Sequence, residues 1–199
     1  MDIFERVKKV YIIHGWDGSP EEPMLQWLKV NLEKEGCEVI VPAMPEPAVP
    51  KIEDWLEKLK LVIEPGSDTI LVGHSVGCQA VLRYLETLPE EVKVAGVVLV
   101  APWMELDEET IKEEGEEVIE IARPWMETPI DFAKIKSHIT SQTVAIFSDN
   151  DPFVPLEQKN LFEKELGAKT FIEQNKGHFS PADGIVELPI ALEEIKKLL

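Results

Sequence analysis

Residues 68–82 read DTILVGHSVGCQAVL, and this stretch decides which fold the chain can adopt. Its first part, Ile70–Val72, is a short apolar run typical of a buried strand, whereas Cys78–Leu82 continues with a helical period. Between these two parts stands a serine with a glycine two positions away on each side. A strand, a sharp turn that carries a serine and a helix together make a nucleophile elbow. Ser75 is therefore the candidate nucleophile.

The residues around Ser75 have physical reasons to be there. Side chains two positions before and after the serine would collide in so tight a turn, and Gly73 and Gly77 remove them. A helix that starts at Val76 would direct its unpaired N–H groups and its positive dipole end towards an oxyanion on the serine. The local context therefore favours a catalytic turn over an ordinary glycine-rich connection.

Composition limits the class of protein. The chain has 199 residues, 44% hydrophobic and 29% charged, which fits a single α/β domain over residues 1–199 with a substantial core. Its net charge of −18 argues against nucleic acids and anionic membrane surfaces, because both require clustered Lys and Arg. The partner expected is therefore a small molecule, with a protein partner as an open alternative.

The start of the chain and the cysteines give further expectations. The apolar run within residues 1–13 is too short for a signal peptide or a membrane span, which makes a cytoplasmic protein the default expectation. Cys37 and Cys78 are far apart and form no disulfide framework. His and acidic residues are not grouped at metal-ligand spacing, so neither a metal nor a cofactor is expected.

Strand and helix patterns alternate along the chain. Predicted strands lie at residues 10–13, 37–41, 70–72, 94–101, 142–147 and 169–172, and predicted helices at 23–35, 52–63, 76–85, 155–166 and 184–199. This alternation predicts a three-layer, doubly wound α/β fold with six mostly parallel strands in the order 2-1-3-4-5-6. In that order strands 1 and 3 are neighbours, and their carboxyl ends form a crevice at the topological switch point. His14-Gly15 and Ser75 follow these two strands.

A long acidic segment interrupts the alternation. Residues 102–128 carry ten acidic residues against Lys112 and Arg123, and residues 107–122 could form one helix. Long insertions in compact domains are usually lids or disordered segments. We expect residues 103–135 to be an insertion or lid within the domain.

A serine nucleophile needs a base, and elimination among the four histidines selects His178. His74 adjoins the serine and should point away from it, His14 precedes it, and His138 stands in a Ser-His-Ile setting typical of a solvated histidine. His178 lies in a loop after the last strand, where this fold places its base.

The acid that orients the base should follow the fifth strand. The loop there contains Asp149 and Asp151, and spacing alone does not decide between them. Asp151 is preferred, because Pro152 and Pro155 stiffen the loop around it; the other aspartate would then serve as a turn residue.

The oxyanion hole needs two N–H donors. One is expected from Val76, and the other from Gly15 or Trp16 after the first strand. Candidate pocket residues are His14, Trp103 and Trp125, in addition to Trp16. Core packing is an equally good interpretation of the two later tryptophans.

Four motifs together resemble a known family. HGW at 14–16, GHSVG at 73–77, SDNDPFVP at 148–155 and GHF at 177–179 are similar to motifs of the small serine hydrolases that include retinoblastoma-binding protein 9 and bacterial YdeN. The resemblance implies a compact α/β-hydrolase fold and a triad of Ser75, Asp151 and His178. It thereby separates the two aspartates. The acidic insertion departs from the family pattern, so substrate preference is not carried over.

Two function classes follow. The first is a serine hydrolase of the esterase or amidase type, acting on a small ester or amide through an acyl-enzyme on Ser75. The second is a protein-binding module on a hydrolase scaffold with little or no turnover, since fold alone does not exclude it. Turnover of short p-nitrophenyl esters would discriminate between them.

Overall fold

A computed structural model of the protein describes residues 7–199. Residues 1–6, which begin the segment on which the leader prediction rests, lie outside the described residues. The elements are β1 Lys9–Ile13, α1 Pro23–Lys34, β2 Glu38–Ile40, α2 Ile52–Val62, β3 Thr69–His74, α3 Val76–Glu86, β4 Gly96–Val100, α4 Glu108–Glu114, α5 Glu116–Glu127, α6 Phe132–Ser137, β5 Thr143–Ser148, α7 Gln158–Leu166, β6 Lys169–Glu173, a short 3₁₀ helix Pro181–Asp183 and α8 Pro189–Lys196.

The six strands form one parallel sheet in the order β2-β1-β3-β4-β5-β6. This confirms the predicted fold class and strand order. The central strands β3, β4 and β5 are buried along their whole length, as expected of a parallel sheet that is covered on both faces. Their near-continuous apolar sequences are the physical reason that they are recognisable without an alternating pattern.

The helices divide into two groups. Helix α1 packs against α8, while α2, α3, α6 and α7 contact one another in a row. Right-handed crossovers place these groups on opposite faces, because the chain moves one way from β1 to β2 and the other way from β3 onwards. The reversal leaves the carboxyl ends of β1 and β3 adjacent, with Ile13 paired with Gly73.

Two helix predictions were wrong in their bounds. The insertion has two helices rather than one, and they meet at Gly115, whose φ of 118° lies in a region that L side chains rarely adopt. The last helix begins at Pro189 rather than at residue 184. Proline is favoured at the first helical position, and it disfavours helical backbone at the residue before it.

Candidate active site

The turn after β3 has the strained backbone that a nucleophile elbow requires. Ser75 has φ 53° and ψ −124°, a conformation that is costly for a residue with a side chain. A Cβ atom on Gly73 would lie 2.7 Å from the Cys78 main chain, and one on Gly77 would lie 2.5 Å from the Ile13 and His14 carbonyl oxygens. The two glycines therefore let the turn close and let α3 approach the end of β1.

Ser75, His178 and Asp151 form one hydrogen-bonded chain. The Ser75 hydroxyl donates to His178 Nε2 over 2.7 Å, and His178 Nδ1–H donates to Asp151 Oδ2 over 2.8 Å. The Asp151 side chain is 2% exposed and that of His178 is 15% exposed. Because a carboxylate can only accept, this arrangement places the proton of neutral His178 on Nδ1 and leaves Nε2 free to take the serine proton.

The two candidate aspartates have different partners. Asp151 Oδ1 accepts the N–H groups of Phe153 (2.9 Å) and Val154 (3.1 Å), which leaves Oδ2 for His178. Asp149 Oδ1 instead accepts the N–H of Asn175 over 2.8 Å. The structure thus brings Asp151 to the histidine and leaves Asp149 as a loop-bridging residue.

Residues that sequence reasoning missed hold the histidine loop. The Ser148 hydroxyl oxygen accepts from the Lys176 N–H, and the Asn150 side-chain oxygen accepts from the Gly177 N–H. On the other side, Asp183 Oδ2 accepts from the His178 N–H over 3.0 Å. Asp183 also forms a capping box with Ser180, and the Ser-Pro-Ala-Asp sequence is the signal that could have identified it.

The expected oxyanion-hole donors lie at the serine turn and at the end of β1. Within residues 7–199, neither the Val76 N–H nor the Trp16 N–H donates to a main-chain carbonyl. Val76 opens α3, and both Gly15 and Trp16 line the same cavity as Ser75. This agrees with Val76 as one expected donor and leaves Gly15 and Trp16 as alternatives for the other.

The proline-rich segment after β2 supports this oxyanion loop. The Pro47 carbonyl accepts the Asp17 N–H, and the Ala48 carbonyl accepts the Trp16 indole N–H. His14 joins the same support, because its Nε2 accepts the Met44 N–H over 3.0 Å while its Nδ1 lies 2.9 Å from the Gly15 carbonyl oxygen.

A cavity of about 570 Å³ lies above Ser75. Trp103 forms part of its wall, is 1% exposed, and points its indole N–H at Ser75 Oγ over 3.4 Å. Most of the cavity wall is apolar, and its apolar residues include Trp16, Trp103, Leu106, Ile111, Val118 and Phe153. The acidic wall residues are Asp17, Glu22 and Glu114, and Lys and Arg do not occur among the wall residues.

Two candidate pocket residues do not line this cavity. His14 is buried behind the oxyanion loop, where burial lowers its pKa, and packs edge-on against Trp55. Trp125 also packs edge-on against Trp55, and its indole N–H donates to the Pro50 carbonyl over 2.9 Å. Both are corrected to structural residues, because their ring nitrogens are already hydrogen-bonded to main-chain groups of Gly15, Met44 and Pro50.

One histidine prediction, that for His138, is wrong. His138 is fully buried rather than solvated, and its Nδ1 lies 2.7 Å from the Val92 carbonyl oxygen. His74 has no hydrogen bond to the Ser75 hydroxyl among the described residues, but its ring lines the cavity with its centre 5.4 Å from that of His178. Burial lowers the pKa of His74 to about 4.

The residues described here form no other obvious chemical centre. Over residues 7–199 we find no group of three or more His, Cys, Asp or Glu side chains that could hold a metal ion. Cys37 and Cys78 are free and buried, and burial raises the pKa of both thiols. In the same part of the chain, none of the helices has the length and apolar character needed to cross a membrane.

Comparison with known proteins points in the same direction as the geometry. The family model described as serine hydrolase matches residues 10–197. YdeN of Bacillus subtilis is 30% identical over 187 residues, which are 94% of this chain and 93% of YdeN. The serine hydrolase RBBP9 of Rattus norvegicus is 28% identical over 168 residues, which are 83% of this chain and 78% of RBBP9.

Solved structures agree with the fold. The crystal structure of the ydeN gene product from B. subtilis superimposes with a TM-score of 0.86 at 29% identity, and the match covers 96% of this chain and 98% of that one. Est1E from Butyrivibrio proteoclasticus gives a TM-score of 0.66 at 18% identity, over 98% of this chain and 89% of that one. At that identity the likeness to Est1E indicates a common fold alone.

Proposed function

The chain belongs to the serine hydrolase family, and we propose that it cleaves a small carboxylic ester or amide through an acyl-enzyme on Ser75. The observation that carries this proposal is the continuous hydrogen-bonded chain from Ser75 through His178 to Asp151. Ser75 and His178 line a cavity large enough to hold a small ligand.

The proposed reaction has two halves. His178 Nε2 takes the Ser75 proton while Oγ attacks the substrate carbonyl carbon, and the resulting oxyanion accepts hydrogen bonds from the Val76 N–H and from the N–H of Gly15 or Trp16. Protonated His178 then gives its proton to the departing alcohol or amine as that bond breaks. A water molecule, activated by the same nitrogen, releases the acid and regenerates Ser75.

Asp151 has the role of orienting the base. Its Oδ2 fixes the Nδ1–H tautomer of His178 and stabilises the imidazolium that forms in both halves of the reaction. Trp103 N–H, at 3.4 Å from Oγ, occupies one lone pair of the hydroxyl and helps to keep its proton directed at His178.

The cavity wall suggests which substrates are favoured. Apolar side chains form most of the wall, whereas its charged members Asp17 and Glu114 are both acidic. An anionic acyl group would be repelled by these carboxylates and would find no Lys or Arg in the wall. We therefore expect uncharged esters or amides to be accepted better than anionic ones.

We also propose that residues 103–135 act as a lid within a single domain. The first half of this segment supplies Leu106, Ile111, Glu114 and Val118 to the cavity wall. The second half is anchored, because the Arg83 guanidinium donates to the Trp125 and Thr128 carbonyl oxygens. Movement of α4 about Gly115 would open the cavity while α5 stays fixed.

A fluorophosphonate probe tests the central proposal. Wild-type protein should be labelled and should turn over short p-nitrophenyl esters, while Ser75→Ala should do neither. If a known serine hydrolase is labelled under the same conditions and wild-type protein is not, or if Ser75→Ala labels equally well, the proposal is wrong. Absence of both labelling and turnover in a folded wild-type protein would favour the protein-binding alternative.

A further inference from the structure

His74 contacts the main chain of the proposed base. Its Nε2 lies 2.8 Å from the His178 carbonyl oxygen, although 104 residues separate the two in the chain. Because a carbonyl oxygen only accepts, Nε2 must carry the proton. The neutral His74 ring then has its lone pair on Nδ1.

The other nitrogen of His74 faces a carboxyl group. His74 Nδ1 is buried and has no hydrogen-bond partner among the described residues, and Glu22 Oε2 is 4.0 Å away. The Glu22 side chain is only 12% exposed, and its other oxygen accepts the Ser19 N–H over 3.1 Å. Glu22 immediately precedes α1, so it is held from an element that the triad does not use.

We propose that His74 is a positioning residue that holds the His178 main chain in place through Nε2–H, and that Glu22 holds the His74 ring through Nδ1. This inference rests on the proposed function, since it gives His74 a role in presenting the base to Ser75. Neither residue touches the reacting atoms in this role.

The His178 loop needs such support. Its backbone has positive φ at Asn175 (54°), Gly177 (53°) and Phe179 (56°), which is unfavourable for the two residues with side chains. Asp183 accepts the His178 N–H and His74 donates to the His178 carbonyl, so both main-chain groups of the base are tied down. The ring itself is held by its Nδ1–H bond to Asp151, so both the main chain and the side chain of His178 are fixed.

The electrostatic environment favours a neutral pair. Burial lowers the pKa of His74 and raises the pKa of Glu22, so each group is pushed towards its uncharged form. The charged or titratable groups around His74 are Glu22, His178, Asp151 and His14. A protonated Glu22 can donate to the Nδ1 lone pair once the side chains move about 1 Å closer, to ordinary hydrogen-bond distance.

Substitutions at His74 test the donor. His74→Phe keeps a ring and removes the N–H, and it should lower kcat about tenfold or more with little change in KM, because misplaced catalytic groups slow the chemical step. His74→Gln can present an amide N–H near the Nε2 position and should recover most of that loss. At the second position, Glu22→Leu should lower kcat and Glu22→Gln, a permanent donor to Nδ1, should recover it.

His138 provides a matched structural control. It is another fully buried histidine whose ring bonds to a main-chain carbonyl and whose second nitrogen has no partner in the described chain. His138→Phe should lower the melting temperature and leave kcat per folded molecule unchanged. The proposal for His74 is overturned if folded His74→Phe has the wild-type kcat, or if His74→Gln is as slow as His74→Phe. The proposed role of Glu22 is overturned if Glu22→Leu has the wild-type kcat. If the fluorophosphonate probe does not label the wild-type protein at Ser75, the proposed function is overturned instead.

Discussion

His178 Nε2 lies 2.7 Å from Ser75 Oγ, although 103 residues separate the two positions in the chain. Four main-chain N–H groups in residues 175–178 are accepted by side chains of Ser148, Asp149, Asn150 and Asp183. The loop after β5 therefore does more than supply Asp151. It also positions the loop that carries the base, so the acid and the base are both held at the ends of the neighbouring strands β5 and β6.

Asp151→Asn should lower kcat on the order of 10³-fold or more. Asp151 Oδ1 accepts two main-chain N–H groups, so the amide oxygen of asparagine would stay there and its NH₂ would face His178 Nδ1. His178 would then carry its proton on Nε2 and could not accept one from Ser75. Steady-state kinetics with a p-nitrophenyl ester measure the effect.

Asp149→Asn is the matched control for this substitution. An amide oxygen can still accept the Asn175 N–H, so kcat should stay close to that of the wild type. Equal losses in the two variants would show that the orienting role does not belong to Asp151 alone.

Gly77→Ala should destabilise the protein by about 1–3 kcal/mol, the usual cost of overpacking. The added Cβ would lie 2.5 Å from the Ile13 and His14 carbonyl oxygens and would push α3 away from β1. Because Val76 and Trp16 lie on these two sides, kcat should fall as well. Urea unfolding and ester turnover measure the two effects.

Gly66→Ala is the comparison for that variant. Its Cβ would approach only the flexible end of the Asp68 side chain, at 2.7 Å, which can rotate away. The prediction fails if the two glycine substitutions have similar effects on stability and turnover.

A mono-p-nitrophenyl ester of succinate should be hydrolysed with a kcat/KM about three- to tenfold below that of a neutral ester of similar length, because like charges repel across a partly solvated cavity. Asp17 and Glu114 supply that repulsion. Added salt should narrow the difference, and Glu114→Gln should narrow it at low salt. A preference for the succinate ester would contradict our interpretation of the cavity wall.

Stability should fall in mildly acidic solution because of His74. Its pKa is about 4 in the folded protein against 6.5 when exposed, so between these values the unfolded chain binds more protons than the folded one. The contribution of His74 to the free energy of unfolding is therefore fully present above about pH 6.5, and it decreases as the pH falls towards about 4. Glu22, whose pKa burial raises above 4.5, acts in the opposite direction just above pH 4.5, where the folded protein holds a proton that the unfolded chain releases.

Urea unfolding of wild-type protein and His74→Gln at about pH 7.5 and about pH 5 measures this linkage. The wild type should lose about 2 kcal/mol more than the variant over that interval, since glutamine does not titrate. Parallel losses in both proteins would show that His74 does not stay neutral in the folded state.

Much of the fold could be predicted from local sequence, and the exceptions are instructive. The strands of the sheet are short apolar runs, and α1, α2 and α3 have a helical period with clear ends. The break at Gly115 and the start at Pro189 are also local signals, which the periodicity of the surrounding residues concealed. Such features depend on residues within a few positions of one another.

The burial of individual polar residues could not be read in the same way. The Ser-His-Ile context of His138 contains no information about the Val92 carbonyl, which is 46 residues away and accepts a hydrogen bond from the ring Nδ1–H. Likewise, nothing around Trp125 in the sequence indicates Pro50, its partner 75 residues earlier. Both residues pack into the structure instead of meeting solvent or the cavity.

The sequence by itself therefore determined the order of strands and helices and the serine turn at residues 73–77, because hydrophobic period and glycine sterics act over short distances. The tertiary structure decided which aspartate bonds to His178, which aromatic side chains line the cavity, and that His74 lies between Glu22 and the His178 main chain. These outcomes depend on contacts between residues from 27 to 104 positions apart. Such contacts form only when the parallel sheet brings the carboxyl ends of its strands together.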